Sequence, residues 1–536
     1  MTVTGAQIVI HLLERLGVTV VAGIPGGAIL PLYDAMAASG IRHVLARHEQ
    51  GAGFIAQGLA RAGGRAGVCL ATSGPGATNL VTALADAKAD SVPLVAITAN
   101  VPRALMGTDA FQEVDFFSLA MPVTKHGFLV EDAADLFRVL PEAFRLAESP
   151  RPGPVSVDIP KDVLTAEIEI PAWPDSLVFP VTAPWADGPD GEWLDEVVAA
   201  VAAAERPVIY AGGGAGRAWE RVRALARREG IPVAVTLMGL GILEPGDPLF
   251  LGMLGMHGEP AANRAMADAD LVLALGVRFD DRATGKVAAF CPNARVIHVD
   301  IDAAELGKNH RTDWSWAGDT AEFLEALLSR PTIRPSVSGF DPAPVLRSLA
   351  DAVGDALVAT DVGQHQMWAA QYFPVRRPGM FLTSGGLGTM GFGLPTAIGA
   401  ALASPGRRVV CVTGDGSLLM NVQEMATLAE LGLPVMIVLF NNGGLGLVRQ
   451  QQELFYSETF VASGFAGGPD FCALARAFGL KAWRADETGL ARAFAEAAAH
   501  QGPSLVEVPV AARTLALPMV APGDANIDAV TARREE

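Results

Sequence analysis

The segment RVVCVTGDGSLLMNVQEMATLAELGLPVMIVLFNN, residues 408–442, decides the fold of the region around it. Its apolar runs predict buried strands at 408–413 and 433–440, with a helix at 421–431 between them. In a right-handed parallel crossover both strands end at the same edge of the sheet, so we expect Asp415 and Asn442 to be neighbours. Their oxygens suit Mg²⁺, which also binds phosphate oxygens, and the adjacent glycines let backbone approach a diphosphate closely.

Two short motifs in this segment resemble the motif shared by decarboxylases and carboligases that use thiamine diphosphate (ThDP). Gly414-Asp-Gly416 alone is also typical of an ordinary turn, and Asn441-Asn442 of an ordinary strand end. Together, at this spacing, they favour the cofactor site. The resemblance implies that Asp415, Asn442 and the backbone carbonyl of Gly444 hold the metal ion.

Length and composition limit the classes of protein to which the chain can belong. Its 536 residues predict about three domains, because a single core seldom grows beyond roughly 250–300 residues. Forty basic and 58 acidic residues give a net charge of −18, which argues against binding to nucleic acid or to an anionic membrane surface. The four cysteines are isolated and no apolar run reaches the ~18 residues of a membrane span, so we expect a soluble cytoplasmic protein.

Alternating apolar strands and helical stretches predict an α/β fold of three doubly wound parallel-sheet units. The first unit occupies residues 1–165, and a linker rich in proline and acidic residues covers 166–190. The second unit occupies 191–335, and the third, which contains the opening segment, occupies 340–515. Residues 516–536 form a polar tail that we expect to cover a surface. The first and third units look like variants of one architecture.

Glu49 is the candidate for the carboxylate that ThDP needs beside its aminopyrimidine ring. It follows a predicted strand and opens a helix rich in small residues, GAGFIAQG at 51–58, which another helix could approach closely. A glutamate at a helix N-terminus also has a simpler interpretation, since the helix dipole stabilises it by ~0.3–1 kcal/mol. The neighbouring His48 is compatible with proton transfer, but a histidine beside a strand is more often packed and hydrogen-bonded.

Further segments resemble the large subunit of acetohydroxyacid synthase (acetolactate synthase), especially the bacterial isozyme I form. They are GIPGG at 23–27, RHEQG at 47–51, TSGPGATN at 72–79, GTDAFQE at 107–113 and VGQHQMW at 362–368. The resemblance runs from about residue 5 to residue 527 and favours the catalytic role of Glu49. It implies a homodimer or homotetramer of catalytic subunits with ThDP bound between two chains, and a small regulatory subunit as a partner.

The same resemblance assigns residues to the two halves of the ThDP site. One chain would supply Gly26, Glu49, Asn79 and Gln112, and the other chain would supply the diphosphate half. Met390, in the segment Gly388-Thr-Met390, would wedge between the cofactor rings and keep them bent. The diphosphate half would comprise Gly363, Gln364, His365, Gly388, Gly414, Asp415, Gly416, Ser417, Asn442, Gly444, Leu445 and Gly446.

The second unit resembles the part of the family that binds flavin adenine dinucleotide (FAD). Its RFDDR segment at 278–282 is distinctive of that site, although GGGAG at 212–216 is not the GxGxxG fingerprint. A surface network of arginine and aspartate is about equally compatible with the residue types alone. The resemblance implies an FAD that is needed structurally and is not consumed. Its site would include Arg151, Gly212, Gly213, Gly214, Thr236, Leu237, Met238, Met256, His257, Gly276, Asp280, Arg282, Asp300, Ile301 and Asp319.

The implied activity is the first common step of branched-chain amino acid biosynthesis. Pyruvate is decarboxylated, and the hydroxyethyl group that remains is joined to a second 2-keto acid, pyruvate or 2-ketobutyrate. Arg278 would bind the carboxylate of the acceptor, because a guanidinium makes bidentate hydrogen bonds. Phe111, Met390 and Gln451 would shape the acceptor pocket. Many relatives carry tryptophan where Gln451 stands, so we expect a weak preference between the two acceptors.

Two other functions fit parts of the pattern. A flavin-dependent pyruvate oxidase shares the three-domain plan and both cofactors, but the RFDDR segment argues against it. A catalytically silent cofactor-binding protein would also keep the fold, but it would not need to retain Glu49, Asp415 and Asn442. A further departure from relatives is Gly443-Gly444, where larger residues are usual, and it predicts a more mobile loop.

Overall fold

The computed structural model describes residues 1–173, 188–330, 344–457, 459–465, 467–485, 489–510, 514–521 and 524–530. Most of the predicted linker, residues 174–187, lies outside this set, as do residues 331–343 and the end of the tail at 531–536. Three six-stranded sheets, in all of which neighbouring strands are parallel, dominate the fold. The prediction of three parallel-sheet α/β units is therefore confirmed.

The first sheet follows from short apolar strands that alternate with helices. Its elements are β1 (Thr2–Thr4), α1 (Gly5–Arg15), β2 (Val20–Gly23), α2 (Leu30–Met36), β3 (Arg42–Leu45), α3 (Glu49–Gly63), β4 (Gly67–Ala71), α4 (Pro75–Thr78), α5 (Val81–Ala89), β5 (Leu94–Asn100), α6 (Phe116–Ala120), β6 (His126–Leu129), α7 (Leu136–Glu148), β7 (Pro154–Pro160), α8 (Lys161–Thr165) and β8 (Glu167–Glu169).

Helices cover both faces of this sheet. Successive residues of β4 show it, because Val68 and Leu70 belong to one buried cluster whereas Cys69 and Ala71 belong to another. The strand order is β3-β2-β4-β5-β7-β6, and β1 pairs separately with β8 in a small antiparallel sheet. Residues 167–169 of the predicted linker are thus tied back to the start of the chain.

The second sheet has the strand order β11-β10-β9-β12-β13-β14. This is the 3-2-1-4-5-6 order of the doubly wound dinucleotide-binding fold, in which ligands lie at the point where the order reverses. Its elements are α9 (Gly191–Ala203), β9 (Pro207–Ala211), α10 (Trp219–Glu229), β10 (Val233–Val235), β11 (Phe250–Met253), α11 (Pro260–Asp268), β12 (Leu271–Leu275), α12 (Asp281–Thr284), β13 (Arg295–Asp300), β14 (Trp314–Ala317) and α13 (Thr320–Leu328).

The third sheet has the order β16-β15-β17-β18-β20-β19. Counted from β2 in the first sheet and from β15 in the third, both sheets have the strand order 2-1-3-4-6-5. The two units therefore share one topology, as their sequences suggested. Its elements are α14 (Pro344–Val353), β15 (Leu357–Thr360), α15 (Gln364–Tyr372), β16 (Phe381–Leu382), α16 (Gly393–Ala403), β17 (Val409–Gly414), α17 (Asp415–Met420), α18 (Glu424–Leu431), β18 (Val435–Asn441), α19 (Gly446–Phe455), α20 (Phe471–Ala477), β19 (Lys481–Arg484), α21 (Leu490–Ala499) and β20 (Ser504–Pro509).

Strands that the sequence did not reveal lie at sheet edges or beside them. In the six-stranded sheets of the first two units these are β6, β11 and β14, each the last strand on its side of the sheet. An edge strand is buried on fewer sides than a central one, so its sequence carries fewer apolar residues. His126–Leu129, for example, has only exposed or half-buried positions.

Helices α3 and α16 join the first unit to the third. A Cβ on Gly58 of α3 would lie 2.3 Å from the carbonyl oxygen of Thr396, and a Cβ on Gly399 of α16 would lie 2.0 Å from that of Ile55. Only glycine permits so close an approach of two backbones. The expectation that another helix approaches the small-residue stretch 51–58 is confirmed.

The described part of the tail crosses from the third unit to the second. Ala516 and Gln450 exchange two hydrogen bonds, with N···O distances of 2.6 and 2.8 Å. Met519 and Val520 are buried against Met256. The tail therefore covers a junction between units rather than a single face. Within the residues that the structure describes, every helix is too short or too polar to cross a membrane.

Candidate functional site

A cavity of about 160 Å³, open to solvent, lies at the carboxyl edge of the third sheet. Strands β15, β17 and β18 all end there, because parallel strands place their carboxyl ends at one edge. The whole predicted diphosphate half contributes to its wall, together with Met390 and Gln451. The lining residues are Val362, Gly363, Gln364, His365, Trp368, Gly388, Met390, Gly414, Asp415, Gly416, Ser417, Phe440, Asn442, Gly444, Leu445, Gly446, Leu447, Val448 and Gln451.

Asp415 and Asn442 present oxygens to this cavity. The backbone N–H of Gly444 donates to Oδ2 of Asp415 at 2.9 Å, and Asn442 Nδ2 donates to Gln364 Oε1 at 3.0 Å. The second bond fixes the amide, so that Asn442 Oδ1 is buried without a hydrogen-bond partner among the described residues. A buried acceptor without a donor is unfavourable unless a cation or another ligand satisfies it. The donor set therefore fits a hard divalent cation such as Mg²⁺.

The burial of Asp415 also favours a bound cation. The carboxylate is almost fully buried, and burial raises its pKa above the usual range, although backbone N–H groups of residues 415, 416, 443 and 444 oppose the shift. A cation at this position would offset the cost of keeping the carboxylate ionised.

Glycines around the cavity leave no room for side chains. A Cβ on Gly446 would lie 2.2 Å from both Asn442 Nδ2 and Gln364 Oε1. A Cβ on Gly414 would lie 2.8 Å from Nδ1 of His365. The glycines thus allow the polar groups to reach the positions that a diphosphate and a metal ion need.

The Gly443-Gly444 departure has a local structural reason. Gly443 has a φ of +70°, which favours glycine. Gly444 pairs with Gly464 in an isolated bridge, and a Cβ there would lie 2.3 Å from the carbonyl oxygen of Ser463. The loop is therefore held against the segment around Ser463, while the mobility expected from the sequence stays a prediction.

His365 is neutral at physiological pH. Burial lowers its pKa to about 3, since charging an imidazole away from water is costly. Its Nε2 has no hydrogen-bond partner among the described residues. The ring thus supplies a fixed polar edge beside Gly363 and Gly414, without a charge.

Asp361 fixes the end of the segment that carries Met390, and the sequence analysis did not identify it. Its carboxylate accepts hydrogen bonds from the N–H of Gly391 at 2.8 Å and of Gly393 at 3.2 Å. Burial raises its pKa to about 6. The signal was present, because Asp361 directly follows β15 just as Asp415 directly follows β17.

The predicted pyrimidine half forms a second cluster, in the first unit. Asn79 Nδ2 donates to Glu49 Oε2 at 2.9 Å, and a Cβ on Gly76 would lie 3.5 Å from Glu49 Oε1. Glu49 is the first residue of α3, and His48 caps that helix by accepting from the N–H of Gln50 at 3.1 Å. Both the helix-terminal position of Glu49 and the hydrogen-bonded role of His48 are thus observed. Glu49 is still half-exposed and available to a ligand.

Gly26 and Gln112 both lie close to the segment 72–79, which carries Asn79. A Cβ on Gly26 would lie 2.5 Å from Thr72 Cγ2, and a Cβ on Gly74 would lie 2.9 Å from the backbone of Gln112. Gln112 has a φ of +61°, a conformation that costs energy in a non-glycine residue and is concentrated at functional sites. Phe111 beside it is 88% exposed, so a single chain gives this aromatic ring almost no cover.

Glu49 and its neighbours do not line the cavity of the third sheet. Among the described residues in the cavity wall, none comes from the first 330 positions of the chain. The two predicted halves of the ThDP site are therefore separate within one chain.

The glycine-rich loop after β9 meets the end of β12. A Cβ on Gly212 would lie 2.4 Å from the carbonyl oxygen of Gly276, and a Cβ on Gly214 would lie 2.7 Å from the Cα of Gly276. Gly276 itself has a φ of +57°. Because β9 and β12 are the strands at which the sheet order reverses, this close approach lies at the expected nucleotide position. The loop fits a dinucleotide despite the missing fingerprint.

Several other residues predicted for FAD already make contacts within the protein. Thr236 Oγ1 accepts from the N–H of Gly239, Asp280 caps α12, and Asp319 caps α13. Leu237 and Ile301 are half-buried next to Thr236 and Asp300. Gly213 lies beside Met238, because a Cβ on Gly213 would lie 3.2 Å from the Cβ of Met238. Burial raises the pKa of Asp300 to about 6.

The remaining residues of the set lie at unit boundaries. Arg151 pairs with the carboxylates of Asp302 and Glu305. His257 Nδ1 lies 3.0 Å from the carbonyl oxygen of Pro518 in the tail, and burial lowers the pKa of His257 to about 4. Nη1 of Arg282 contacts Sδ of Met256 at 3.8 Å. Arg278 Nη1 donates to the carbonyl oxygen of Ala89 in the first unit.

Three protein families match successive parts of the chain. They are "Thiamine pyrophosphate enzyme, N-terminal TPP binding domain" at residues 3–119, "central domain" at 194–327 and "C-terminal TPP binding domain" at 361–508. The chain is 49% identical to the acetolactate synthase isozyme 1 large subunit of Escherichia coli K12, over 98% of this chain and 97% of that protein. The chain belongs to the acetolactate synthase large-subunit family.

Other members of the family are nearly as similar. The isozyme 2 large subunit of Escherichia coli K12 is 45% identical, over 97% of this chain and 98% of that protein. The acetolactate synthase large subunit of Parasynechococcus marenigrum is 45% identical, over 99% of this chain and 91% of that protein. The family resemblance read from the sequence motifs is confirmed, and the three matched families correspond in order to the three sheets.

Proposed function

We propose that this chain is the catalytic subunit of an acetolactate synthase, which decarboxylates pyruvate and joins the two-carbon unit to a second 2-keto acid. The observation that carries the proposal is the cavity at the edge of the third sheet. There Asp415 and the unsatisfied Oδ1 of Asn442 lie among glycines that leave room for a diphosphate. The similarity to acetolactate synthase large subunits supports the choice of this reaction among those of ThDP enzymes.

Asp415, Asn442 and the carbonyl of Gly444 would hold Mg²⁺, which would supply positive charge for the diphosphate of ThDP. ThDP would supply the carbon nucleophile and an acceptor for the electron pair that stays on the substrate when CO₂ leaves. Glu49 hydrogen-bonds to the aminopyrimidine ring and holds the proton there. Asn79 orients Glu49 through the 2.9 Å bond between its Nδ2 and the carboxylate.

Two copies of the chain complete each site. Glu49 of one chain faces the cavity of the other, which agrees with the separation of the two halves within one chain and with the exposure of Phe111. The assembly is therefore a homodimer or a dimer of dimers. A small regulatory subunit is proposed as well, because relatives are named large subunits. The four cysteines are buried free thiols, which suits the proposed cytoplasmic location.

FAD occupies the second unit in this proposal and has a structural role. The loop of Gly212, Gly213 and Gly214, where the backbone approaches Gly276, would hold its phosphates. Arg278, which donates to the carbonyl of Ala89, binds the carboxylate of the acceptor 2-keto acid with its remaining N–H groups. Phe111, Met390 and Gln451 shape the space around the acceptor. The domain divisions at 165, 190, 335 and 515 are part of the same proposal.

The test is an acetolactate assay with the purified protein, pyruvate, ThDP, Mg²⁺ and FAD. We expect acetolactate that depends on both ThDP and Mg²⁺, and acetohydroxybutyrate when 2-ketobutyrate is added. Release of CO₂ and acetaldehyde without acetolactate would overturn the carboligase assignment.

The pyruvate oxidase alternative is tested by following the flavin absorbance during anaerobic turnover. An acetolactate synthase leaves the flavin oxidised, because no electrons are lost in its net reaction. Stoichiometric bleaching of the flavin by pyruvate would favour the oxidase instead.

A further inference from the structure

Two buried carboxylates, one in the last turn of α5 and one directly after it, have no role in the site described so far. Asp86 and Asp90 lie one helical turn apart, and both side chains are fully buried. They share one cation, since Arg61 Nη2 lies 3.0 Å from Asp90 Oδ2 and 3.7 Å from Asp86 Oδ2. Among the described residues, Asp90 Oδ1 has no hydrogen-bond partner. We call Asp86, Asp90 and Arg61 the acidic clamp.

The acidic clamp holds the beginning of the segment that carries Met390. Ser384 Oγ donates to Asp86 Oδ1, and Thr389 Oγ1 donates to the same oxygen at 3.2 Å. The N–H of Gly385 donates to Asp90 Oδ2 at 2.9 Å. These bonds join the first unit to residues 384–389 of the third unit of the same chain, which lie directly before Met390.

The last residue of α5 contacts the second unit as well. The carbonyl oxygen of Ala89, which lies between the two acids, accepts the hydrogen bond from Arg278. A Cβ on Gly386 would lie 2.7 Å from the Cβ of Ala89, and a Cβ on Gly385 would lie 2.7 Å from Sδ of Met238. One helix end thus touches both the proposed acceptor arginine and the segment that leads to the proposed cofactor wedge, Met390.

Stability does not explain this arrangement. A buried ion pair seldom stabilises a fold more than apolar residues of the same volume, because both charges lose their hydration. Here two acids face one arginine, and burial together with the charge of Asp90 raises the pKa of Asp86 to about 6. The hydrogen bonds from Ser384, Gly385 and Thr389 explain why acids stand there, since carboxylate oxygens are strong acceptors with fixed directions.

We propose that Asp86 and Asp90 are positioning residues for catalysis, which fix segment 384–390 so that Met390 supports the bound cofactor and hold α5 where Arg278 meets the acceptor. The inference rests on the proposed function for the identity of cofactor and acceptor. A positioning role means that loss of the acidic clamp changes ThDP affinity and the ratio of acetaldehyde to acetolactate. Loss of a purely structural carboxylate changes neither.

The first experiment measures ThDP affinity of the full-length protein with Mg²⁺ by isothermal titration calorimetry. We expect Asp86→Ala and Ser384→Ala each to weaken ThDP binding by about 10-fold, the effect of losing a charged hydrogen bond. The double variant should bind no more weakly than Asp86→Ala alone, because both changes remove one interaction. Asp86→Asn keeps an acceptor oxygen and should recover most of the affinity.

The matched control is Asp158→Ala. Asp158 is also a buried carboxylate of the first unit, and it accepts hydrogen bonds from Thr98 at 2.6 Å and Asn100 at 2.7 Å, all within that unit. We expect this change to lower the melting temperature but to leave ThDP affinity unchanged. If Asp86→Ala behaves like Asp158→Ala, or if Asp86→Ala and Ser384→Ala weaken binding additively, the positioning role is wrong.

The second experiment compares products from pyruvate. We expect Asp90→Ala to raise the ratio of acetaldehyde to acetolactate by about 10-fold. The change removes the Asp90 bonds that fix the end of α5, whose Ala89 carbonyl accepts the hydrogen bond from Arg278. An unchanged ratio would overturn the link between the acidic clamp and Arg278. If the wild-type protein makes no acetolactate, the proposed function fails separately, and the ThDP titrations still decide whether the clamp positions the segment.

Discussion

At the scale of single residues, the site depends on polar atoms that the protein orients but does not satisfy. Asn442 illustrates this, because the hydrogen bond from its Nδ2 to Gln364 leaves its buried Oδ1 without a donor. His365 likewise has an unsatisfied Nε2 at the wall of the same cavity. Such groups are costly in the empty protein and favourable when a ligand supplies the missing contact. The residues therefore indicate ligand binding through their incomplete hydrogen bonding.

The first residue-scale prediction concerns Gly446→Ala. The added Cβ would lie 2.2 Å from Asn442 Nδ2 and Gln364 Oε1, so both amides must move. We expect ThDP and Mg²⁺ affinity to fall by about 10- to 100-fold, which corresponds to the ~1–3 kcal/mol typical of such overpacking. Binding is measured by titration of the apoprotein. Gly464→Ala is the control, because the nearest atom to its Cβ position is 3.8 Å away. Equal affinities for the two variants would contradict the role of Gly446.

The second concerns Arg278→Gln. Loss of the guanidinium should reduce acetolactate formation by about 10- to 100-fold, the effect of losing a charged hydrogen-bonding group. Decarboxylation should continue, because the first pyruvate does not need Arg278 as an acceptor site. Acetolactate and released acetaldehyde are measured together. Arg295→Gln, an exposed arginine of the same unit that stacks on Trp314, serves as the control. Equal loss of both activities would show that Arg278 has a different role.

At the scale of elements, helix ends and strand ends carry almost every candidate group. Glu49 is the first residue of α3, Asp415 the first residue of α17, and Asn442 follows the last residue of β18. Parallel strands and short connections put these ends at one edge of each sheet. The glycines of α3 and α16 then set how closely the first and third units approach. The packing of helices and strands therefore sets the distance between the sites, whereas single residues supply their functional groups.

The element-scale prediction is that Gly58→Ala destabilises the contact between α3 and α16. Its Cβ would meet the backbone oxygen of Thr396 at 2.3 Å, and backbone cannot move aside as a side chain does. We expect the free energy of unfolding to fall by about 1–3 kcal/mol, observed as a lower melting temperature. Gly63→Ala in the same helix is the control, since its Cβ position is 3.9 Å from the nearest atom and alanine favours helix. A melting temperature for Gly58→Ala at or above that of the wild type would contradict the close contact.

At the scale of the whole molecule, one chain holds both halves of the proposed ThDP site without joining them. The wall of the cavity in the third sheet contains no described residue from the unit that carries Glu49. Phe111 is exposed on the first unit, and Leu419, Met420 and Val448 are partly exposed around the third. A second copy of the chain is the partner that could bring the missing carboxylate to each cavity.

The prediction at this scale is complementation between two inactive chains. Glu49→Gln and Asp415→Asn should each abolish acetolactate formation as pure proteins. After mixing, dissociation and reassembly, about a quarter of wild-type activity should return, because half of random dimers carry one site built from two intact halves. Mixing two separate preparations of Glu49→Gln is the control. If the mixture of Glu49→Gln and Asp415→Asn also stays inactive while heterodimers form, the site does not lie between chains.

Much of the fold could be predicted because central strands are selected for burial. Val409–Gly414 was predicted within one residue at each end, and Val435–Asn441 was predicted within two. The strand His126–Leu129 was not, because its edge position leaves it half-exposed. Asp361 was missed although it follows a strand in the same way as Asp415. The acids at the end of α5 were missed because local sequence does not show that a helix face is buried against another unit.

The sequence by itself determined which chemistry the chain carries. The apolar runs predicted the central strands. Asp415, Asn442 and the nearby glycines directly follow these runs, so they had to lie at strand ends, where the chain turns. Only the tertiary structure decided which of these groups meet. Asp86 lies 298 positions from Ser384, and Glu49 stays apart from the cavity that holds Asp415. The physical reason is that a sequence pattern records whether a residue is buried, whereas its partner is chosen by how distant helix and sheet faces fit together.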